Sequence, residues 1–155
     1  LKAKKISMHE YLDGLLIKHG CHTEDLLNVQ MEGSEGMTLM KQLMAAFRAN
    51  PPTTLGGIPV FAIRDYEALT QTTIDGKVAK LVAPKGNMVI LDLVETGNYV
   101  AVRPSGTEPK VKFYFFTALT PGESTNLTQA KKILSDRIAS LKKDIQTFAK
   151  SVTSH

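Results

Sequence analysis

The spacing of apolar residues changes along this chain, and each spacing predicts a different kind of element. After Ser7, steps of one to four residues place several apolar side chains on one face of a helix: Met8, Leu12, Leu15 and Leu16. Ser7 and Glu10 stand at the offset of a capping box, and Gly20 is a residue type that often ends a helix. The pattern therefore predicts a short amphipathic helix that ends at Gly20.

Two further segments show helical spacing. Residues 34–49 carry one apolar stripe, formed by Met37, Met40, Leu43, Met44 and Phe47, and must end before the Asn-Pro-Pro of residues 50–52. From about Thr125 a longer stripe has lysines between its members, which are Leu127, Ala130, Leu134, Ile138, Leu141, Ile145 and Phe148. We predict a helix over 34–49 and a long closing helix.

Strand patterns occupy most of the remaining chain. Residues 26–31 (LLNVQM) favour a first strand, and four more follow at GIPVFAI, NMVILDLV, NYVAV and KVKFYFFTAL. In the last strand, Val111, Phe113 and Phe115 share one face, whereas Lys110, Lys112 and Tyr114 share the other. Residues 66–86 show no clear period, and we expect an irregular excursion with a weak edge hairpin.

The element order predicts an α+β domain. About five strands in the order β-α-β-β-β-β-α, after a first helix, favour one mostly antiparallel sheet with helices on one face. The opposite face is then left partly free.

Composition excludes several classes of protein. The 155 residues are 43% hydrophobic and 22% charged, and no apolar run approaches the roughly 20 residues of a membrane span. The start LKAKKISMHE lacks the apolar segment of a signal peptide, and the single Cys21 forms no internal disulfide. We expect a cytoplasmic protein without a membrane partner. Leu1 at the start is compatible with a processed product or a piece of a longer protein.

The net charge of +4 raises the alternative of a basic nucleic-acid-binding module, since an open antiparallel sheet can face a nucleic acid. The lysines are dispersed, however, and their largest cluster, KAKK at residues 2–5, lies at the chain end. We therefore favour a smaller anion and expect no nucleic-acid partner.

The heptapeptide RPSGTEP, residues 103–109, joins the last two predicted strands and has the chemistry of a phosphate site. Arg103 offers a permanently charged planar fork, and Ser105 and Thr107 add hydroxyl donors at alternate positions. Gly106 lets the backbone approach an anion closely. The flanking prolines restrict the loop, so less entropy is lost on binding.

Other interpretations of these residues remain open at this point. Glycine, serine and proline also suit an ordinary hairpin turn, although a turn does not need the arginine. A catalytic role for Ser105 is disfavoured because no base lies nearby in sequence. Lys112 could extend the positive field from behind the residues that touch the anion, or lie on a solvated strand face.

The HGCH run at residues 19–22 contains metal-ligand types in close spacing. A zinc site needs about four ligands, and no second cluster accompanies these residues. We therefore interpret the run as a helix end and predict no metal site.

The stretch NMVILDLVETGNYVAVRPSGTEPKVKFYF resembles the last-domain motif of the α-D-phosphohexomutases, and RPSGTEPK with KFYF is most similar to their phosphoglucomutase branch. The resemblance extends back through RANPP and LGGIPV and forward to the closing helix. It implies a TATA-box-binding-protein-like C-terminal domain over residues 21–155. Residues 1–20 resemble the closing helix of a preceding domain.

The family resemblance implies that Arg103, Ser105, Gly106 and Thr107 hold the phosphate that is not being transferred. The parent enzyme, a phosphoglucomutase or phosphomannomutase, would interconvert hexose 1-phosphate and hexose 6-phosphate through a bisphosphate. Magnesium and glucose 1,6-bisphosphate would be its cofactors, and the other domains and a sugar phosphate its partners.

This sequence departs from the family pattern in lacking the serine loop (TASHNP type), the metal loop (DGDGDR type) and the sugar loop (GEESGG type). MEGSEG at residues 31–36 echoes the last of these but lies at a predicted helix start, and we assign it no sugar contact. We therefore assign no catalytic residue and expect this piece alone to be inactive.

Overall fold

The computed structural model describes residues 6–153, so the KAKK run at residues 2–5 lies outside the described part. The elements follow the predicted order, with a short 3-10 helix at Pro121–Ser124. They are α1 (Met8–His19), β1 (Cys21–Gln30), α2 (Gly36–Ala49), β2 (Thr54–Leu55), β3 (Ile58–Asp65), β4 (Thr70–Thr73), β5 (Val78–Lys80), β6 (Val89–Leu93), β7 (Tyr99–Pro104), β8 (Lys110–Leu119) and α3 (Leu127–Thr153).

All strands belong to one antiparallel sheet in the order β1-β8-β7-β6-β3-β4-β5, and β2 pairs with β3 beside this path. The α+β class is confirmed, and the five longer strands keep the order β-α-β-β-β-β-α. Three short strands bring the total described to eight. Two of them, β4 and β5, form a hairpin within residues 66–86, where a weak edge hairpin is predicted.

The core lies between the sheet and the two helices α2 and α3. On β8, Val111, Phe113 and Phe115 are fully buried, and the residues between them are half-buried on the other face, as the alternation predicts. Phe47 of α2 lies 5.7 Å from Phe113 and 4.7 Å from Phe148 of α3, measured between ring centroids. Each such buried ring contributes roughly 2 to 3 kcal/mol. This layer holds β7 and β8 in register.

The ends of α1 are determined by the predicted capping residues. The Ser7 N–H donates to Glu10 Oε2 at 2.7 Å, and the Glu10 N–H donates to Ser7 Oγ at 3.1 Å. Hydrogen bonds from the backbone N–H and the side chain of Ser7 to the Glu10 carboxylate hold the pKa of Glu10 below its usual value. Gly20 caps the other end with a φ of 95°. None of the residues of α1 is buried, and none of the described helices is long and apolar enough to cross a membrane.

Several element boundaries differ from the sequence prediction by a few residues, and two of these differences have an evident cause. Strand β1 begins at Cys21 rather than at residue 26, because it pairs with β8 over ten residues despite its polar first half. Asp25 in that half is bonded by Lys142 of α3 and by the Leu26 N–H, which together lower its pKa. Helix α2 begins at Gly36 rather than at residue 34, since residues 34 and 35 form a turn.

Gly20→Ala should destabilise the fold, because the added Cβ would lie 2.3 Å from the Leu119 carbonyl oxygen at a φ that disfavours side chains. We expect the free energy of unfolding, measured by urea titration, to fall by about 2 kcal/mol or more. Gly14→Ala is the matched control, because its Cβ would meet nothing within 4 Å in mid-helix. It should leave stability unchanged or raise it by up to about 1 kcal/mol. Equal effects of the two changes would contradict this account of Gly20.

Candidate functional site

The RPSGTEP segment forms the connection between β7 and β8. The Ser105 N–H donates to the Lys110 carbonyl at 2.8 Å, and the Lys110 N–H donates to the Glu108 carbonyl at 2.8 Å. Arg103 stands opposite Lys112 in the strand register, and both therefore project from the face that carries no helix. The predicted tight turn between two strands is present, and it leaves residues 106–108 exposed.

Most donors of this turn are not used within the described protein. Among residues 6–153, no acceptor is assigned to the guanidinium of Arg103 or to the hydroxyls of Ser105 and Thr107. The same holds for the N–H groups of Gly106, Thr107 and Glu108. These donors face water, and they are available to an anion that could accept several of them at once.

Gly106 is not required by the backbone conformation of the turn. Its φ lies outside the left-handed region, and a Cβ added there would meet no heavy atom within 4 Å. Gly20 and Gly33, by contrast, have φ values of 95° and 83°. A side chain at position 106 would instead occupy the open space over the loop, which the glycine leaves unfilled.

An open cavity of about 640 Å³ lies beside the turn. One wall consists of Arg103, Pro104, Ser105 and Gly106. The structure therefore brings three of the four predicted phosphate ligands to one surface. Thr107 and Lys112 do not line this cavity.

The opposite wall of the cavity was not predicted from the sequence. It comes from three separate segments and consists of Met40, Tyr66, Pro84, Gly86, Asn87 and Met88. No local motif marks these positions, because only the pairing of β3 with β6 and the packing of α2 bring them together. The only sequence signal for part of this region is that residues 66–86 show no clear helix or strand period.

The base of the turn is anchored by the segment before α2. The Met31 N–H donates to the Pro109 carbonyl at 2.8 Å, and Met31 is buried. A Cβ added at Gly36 would lie 2.4 Å from the Met31 oxygen and 3.0 Å from Pro109 Cβ. The MEGSEG residues thus support the turn structurally, and Gly36 is needed for the close approach.

Charged neighbours surround the turn. Glu108 pairs with Lys110, and this hydrogen bond, with the charges of Lys110 and Lys112, keeps the pKa of Glu108 below its usual value. The pairing draws the carboxylate toward β8 and partly neutralises it. An anion beside Arg103 therefore meets less repulsion from Glu108 than an unpaired carboxylate would cause.

The HGCH residues do not converge. His19 lies in the last turn of α1, Cys21 is buried, and His22 is exposed. Within residues 6–153, no three His, Cys, Asp or Glu side chains form a group that could hold a metal ion.

Comparison with known proteins bears on the family of this chain. A phosphoglucomutase of Staphylococcus epidermidis is 31% identical over 115 residues, which are 74% of this chain and 21% of that protein. A phosphoglucomutase of Staphylococcus aureus strain MRSA252 is 36% identical over 115 residues, covering 74% of this chain and 20% of its own length. The chain thus spans about a fifth of the length of these relatives.

Other comparisons add little. No known family profile matches the sequence. The crystal structure of the di-domain ARO/CYC StfQ from the steffimycin biosynthetic pathway aligns at 16% identity, with a TM-score of 0.43 over 94% of this chain and 52% of that one. This likeness is too weak to carry an argument. The phosphoglucomutase matches, by contrast, confirm the resemblance of residues 87–115: the chain belongs to the phosphohexomutase family, and its extent is consistent with a C-terminal domain of that family.

Proposed function

We propose that this chain is the C-terminal, substrate-phosphate-binding domain of a phosphohexomutase that interconverts hexose 1-phosphate and hexose 6-phosphate through a bisphosphate intermediate. The observation that carries the proposal is the cavity wall of Arg103, Ser105 and Gly106, whose donors have no assigned acceptor among residues 6–153. The homology to phosphoglucomutases supports a sugar phosphate as the anion.

The turn binds a phosphate by charge and donor geometry. Arg103 supplies two parallel N–H donors to two phosphate oxygens, and the Ser105 and Thr107 hydroxyls and the Gly106 N–H complete the set. Thr107 lies outside the cavity lining, so its contact requires an anion seated near the tip of the turn. Hydrogen bonds to a charged partner each contribute about 1.5 to 3 kcal/mol.

The phosphoryl chemistry belongs to the remaining domains of the parent enzyme in this proposal. Among the described residues, no group of side chains fits a metal ion, so the proposal assigns no magnesium ligand to this chain. The sequence also lacks the family's serine-loop and metal-loop motifs. Magnesium, the phosphorylated nucleophile and glucose 1,6-bisphosphate are assigned to the parent enzyme, and this domain alone should bind without turnover.

A site of this kind suits a reaction whose intermediate must reverse its orientation. The donors recognise two negative charges and tetrahedral oxygens, and they do not distinguish a phosphate on C1 from one on C6. Closure of this domain over either orientation would exclude water while the other phosphate reacts. We therefore assign to the turn the phosphate that is not being transferred.

Helix α1 supports the proposed division into residues 1–20 and 21–155. It buries none of its own residues, and Met8 and Leu12 are 64% and 50% exposed. An apolar helix face of this kind needs a partner surface. We assign that surface to a preceding domain of the parent enzyme.

The nucleic-acid alternative fits the charge distribution less well. On the open face of the sheet, Arg64 makes two hydrogen bonds to Asp92, at 2.6 and 2.7 Å. Burial opposes the charge on Arg64, but this pairing outweighs it and raises the pKa of the guanidinium. Glu24 lies on the same face, opposite Phe116. An extended polyanion needs many unpaired cations, which favours the single-phosphate site.

Arg103→Ala should weaken binding of glucose 6-phosphate to this 155-residue chain by at least about 10-fold, because the bidentate contact is lost. Isothermal titration calorimetry and NMR titration of the backbone amides measure this effect. Lys143→Ala, which removes one exposed positive charge on α3, is the matched control and should leave binding nearly unchanged. Equal losses in both variants, or amide shifts scattered over the sheet, would count against the site.

Binding of glucose 6-phosphate should weaken when the pH is lowered from 7.5 to 5.5, because the phosphate loses its second charge near pH 6. Glu108 does not contribute to this change. Its pKa is lowered below the ordinary 4.5, so its charge and its pairing with Lys110 are present above that value and are lost only at lower pH. Sulfate stays doubly charged in this window and is the control ligand. A parallel loss of sulfate binding would place the titrating group on the protein instead.

A further inference from the structure

Two chain segments join to form the wall that faces the RPSGTEP turn across the cavity. The Tyr66 N–H donates to the Met88 carbonyl at 3.0 Å, and the Gly86 N–H donates to the Tyr66 carbonyl at 3.1 Å. The turn after β3 and the approach to β6 are therefore held as one unit. We call the lining residues of these two segments the facing wall; they are Tyr66, Pro84, Gly86, Asn87 and Met88.

Arg48, in the last turn of α2, ties the facing wall to the rest of the fold. Its Nε lies 3.2 Å from Asp65 Oδ2, and its Nη2 lies 2.8 Å from Glu67 Oε2. The same Nη2 donates to Asn87 Oδ1 at 2.7 Å. One guanidinium thus holds acceptors from the end of β3, from the following turn and from the wall. A planar group with several fixed donors suits such a junction, and a lysine would not reproduce it.

The cavity is larger than a phosphate needs. Its volume of about 640 Å³ is in the range of sites that hold whole small molecules, not a lone oxyanion. Arg103, Ser105 and Gly106 line the same cavity as Tyr66 and Asn87, so a group attached to a phosphate bound at the turn can reach these two side chains.

The polar groups of the facing wall suit hydroxyl groups. Arg48 donates to the carbonyl oxygen of Asn87 and so orients the side-chain NH₂, whose two N–H groups have no assigned acceptor among residues 6–153. The Tyr66 hydroxyl accepts a hydrogen bond from Arg64 Nη1 at 3.4 Å, and within the described residues no acceptor is assigned to its own proton. Neither group is charged, and neither belongs to the RPSGTEP turn that supplies the proposed phosphate donors.

We infer that the facing wall binds the hydroxyl groups of a phosphorylated polyol, with Asn87 as the contacting residue and Arg48 as the residue that positions it. This inference rests on the proposed phosphate site. It assigns to this domain a recognition of the sugar that is additional to the phosphate contacts of the turn.

The test compares two probes, inorganic phosphate and glucose 6-phosphate, on the 155-residue chain. Asn87→Ala should weaken glucose 6-phosphate by roughly 2- to 10-fold, the effect of one lost hydrogen bond, and leave inorganic phosphate unchanged. Gln42→Ala is the control, because it removes an exposed amide from α2 outside the cavity lining. In the unaltered protein, glucose 6-phosphate should shift the backbone amide signals of residues 85–88, and inorganic phosphate should shift mainly those of Arg103 and residues 105–107.

Arg48→Lys tests the positioning role with the charge kept. The preference for glucose 6-phosphate over inorganic phosphate should fall toward the value of Asn87→Ala, while the affinity for inorganic phosphate changes little. The inference would be overturned if Asn87→Ala weakened the binding of both probes equally or of neither. It would also be overturned if glucose 6-phosphate left the amide signals of the facing wall unshifted. Each of these results would leave the phosphate site intact. If the unaltered chain binds neither probe, the phosphate site itself is wrong, and the inference falls with it.

Discussion

The antiparallel pairing of β7 with β8 is the constraint on which the candidate site depends. Six residue pairs, from Tyr99 with Phe116 to Pro104 with Val111, fix where one strand ends and the next begins. The burial of Phe113 and Phe115 beneath α2 and α3 holds this register, because a shift by one residue would turn both rings toward solvent. The donors of the connecting turn are therefore positioned by a core that lies on the other side of the sheet.

The sequence was informative wherever the determining interaction is local. The capping box of Ser7 and Glu10, the helix end at Gly20 and the alternation along β8 were all predicted, because each depends on residues a few positions apart. The RPSGTEP turn was recognised for the same reason, and its location between two strands is confirmed. Its role as a phosphate site remains a prediction from the chemistry of its residues and from the family resemblance.

The features that the sequence did not predict depend on distant partners. The polar first half of β1 is a strand because β8 lies beside it and Lys142 bonds Asp25 across 117 positions. Similarly, Arg48 and Asn87 are 39 positions apart, and nothing in either neighbourhood marks them as a pair. Propensity and periodicity describe the chain within about one turn or strand, so such pairings become visible only when the fold is known.

Helix α1 and strand β1 are separated by a single residue, Gly20. That residue is buried, and Leu119 at the end of β8 leaves no room beside its Cα. Leu16 also packs beside Cys21, Leu119, Ala130 and Leu134. The joint therefore allows α1 little independent movement, and a force applied to the exposed side of α1 would be transmitted to β1 at the edge of the sheet.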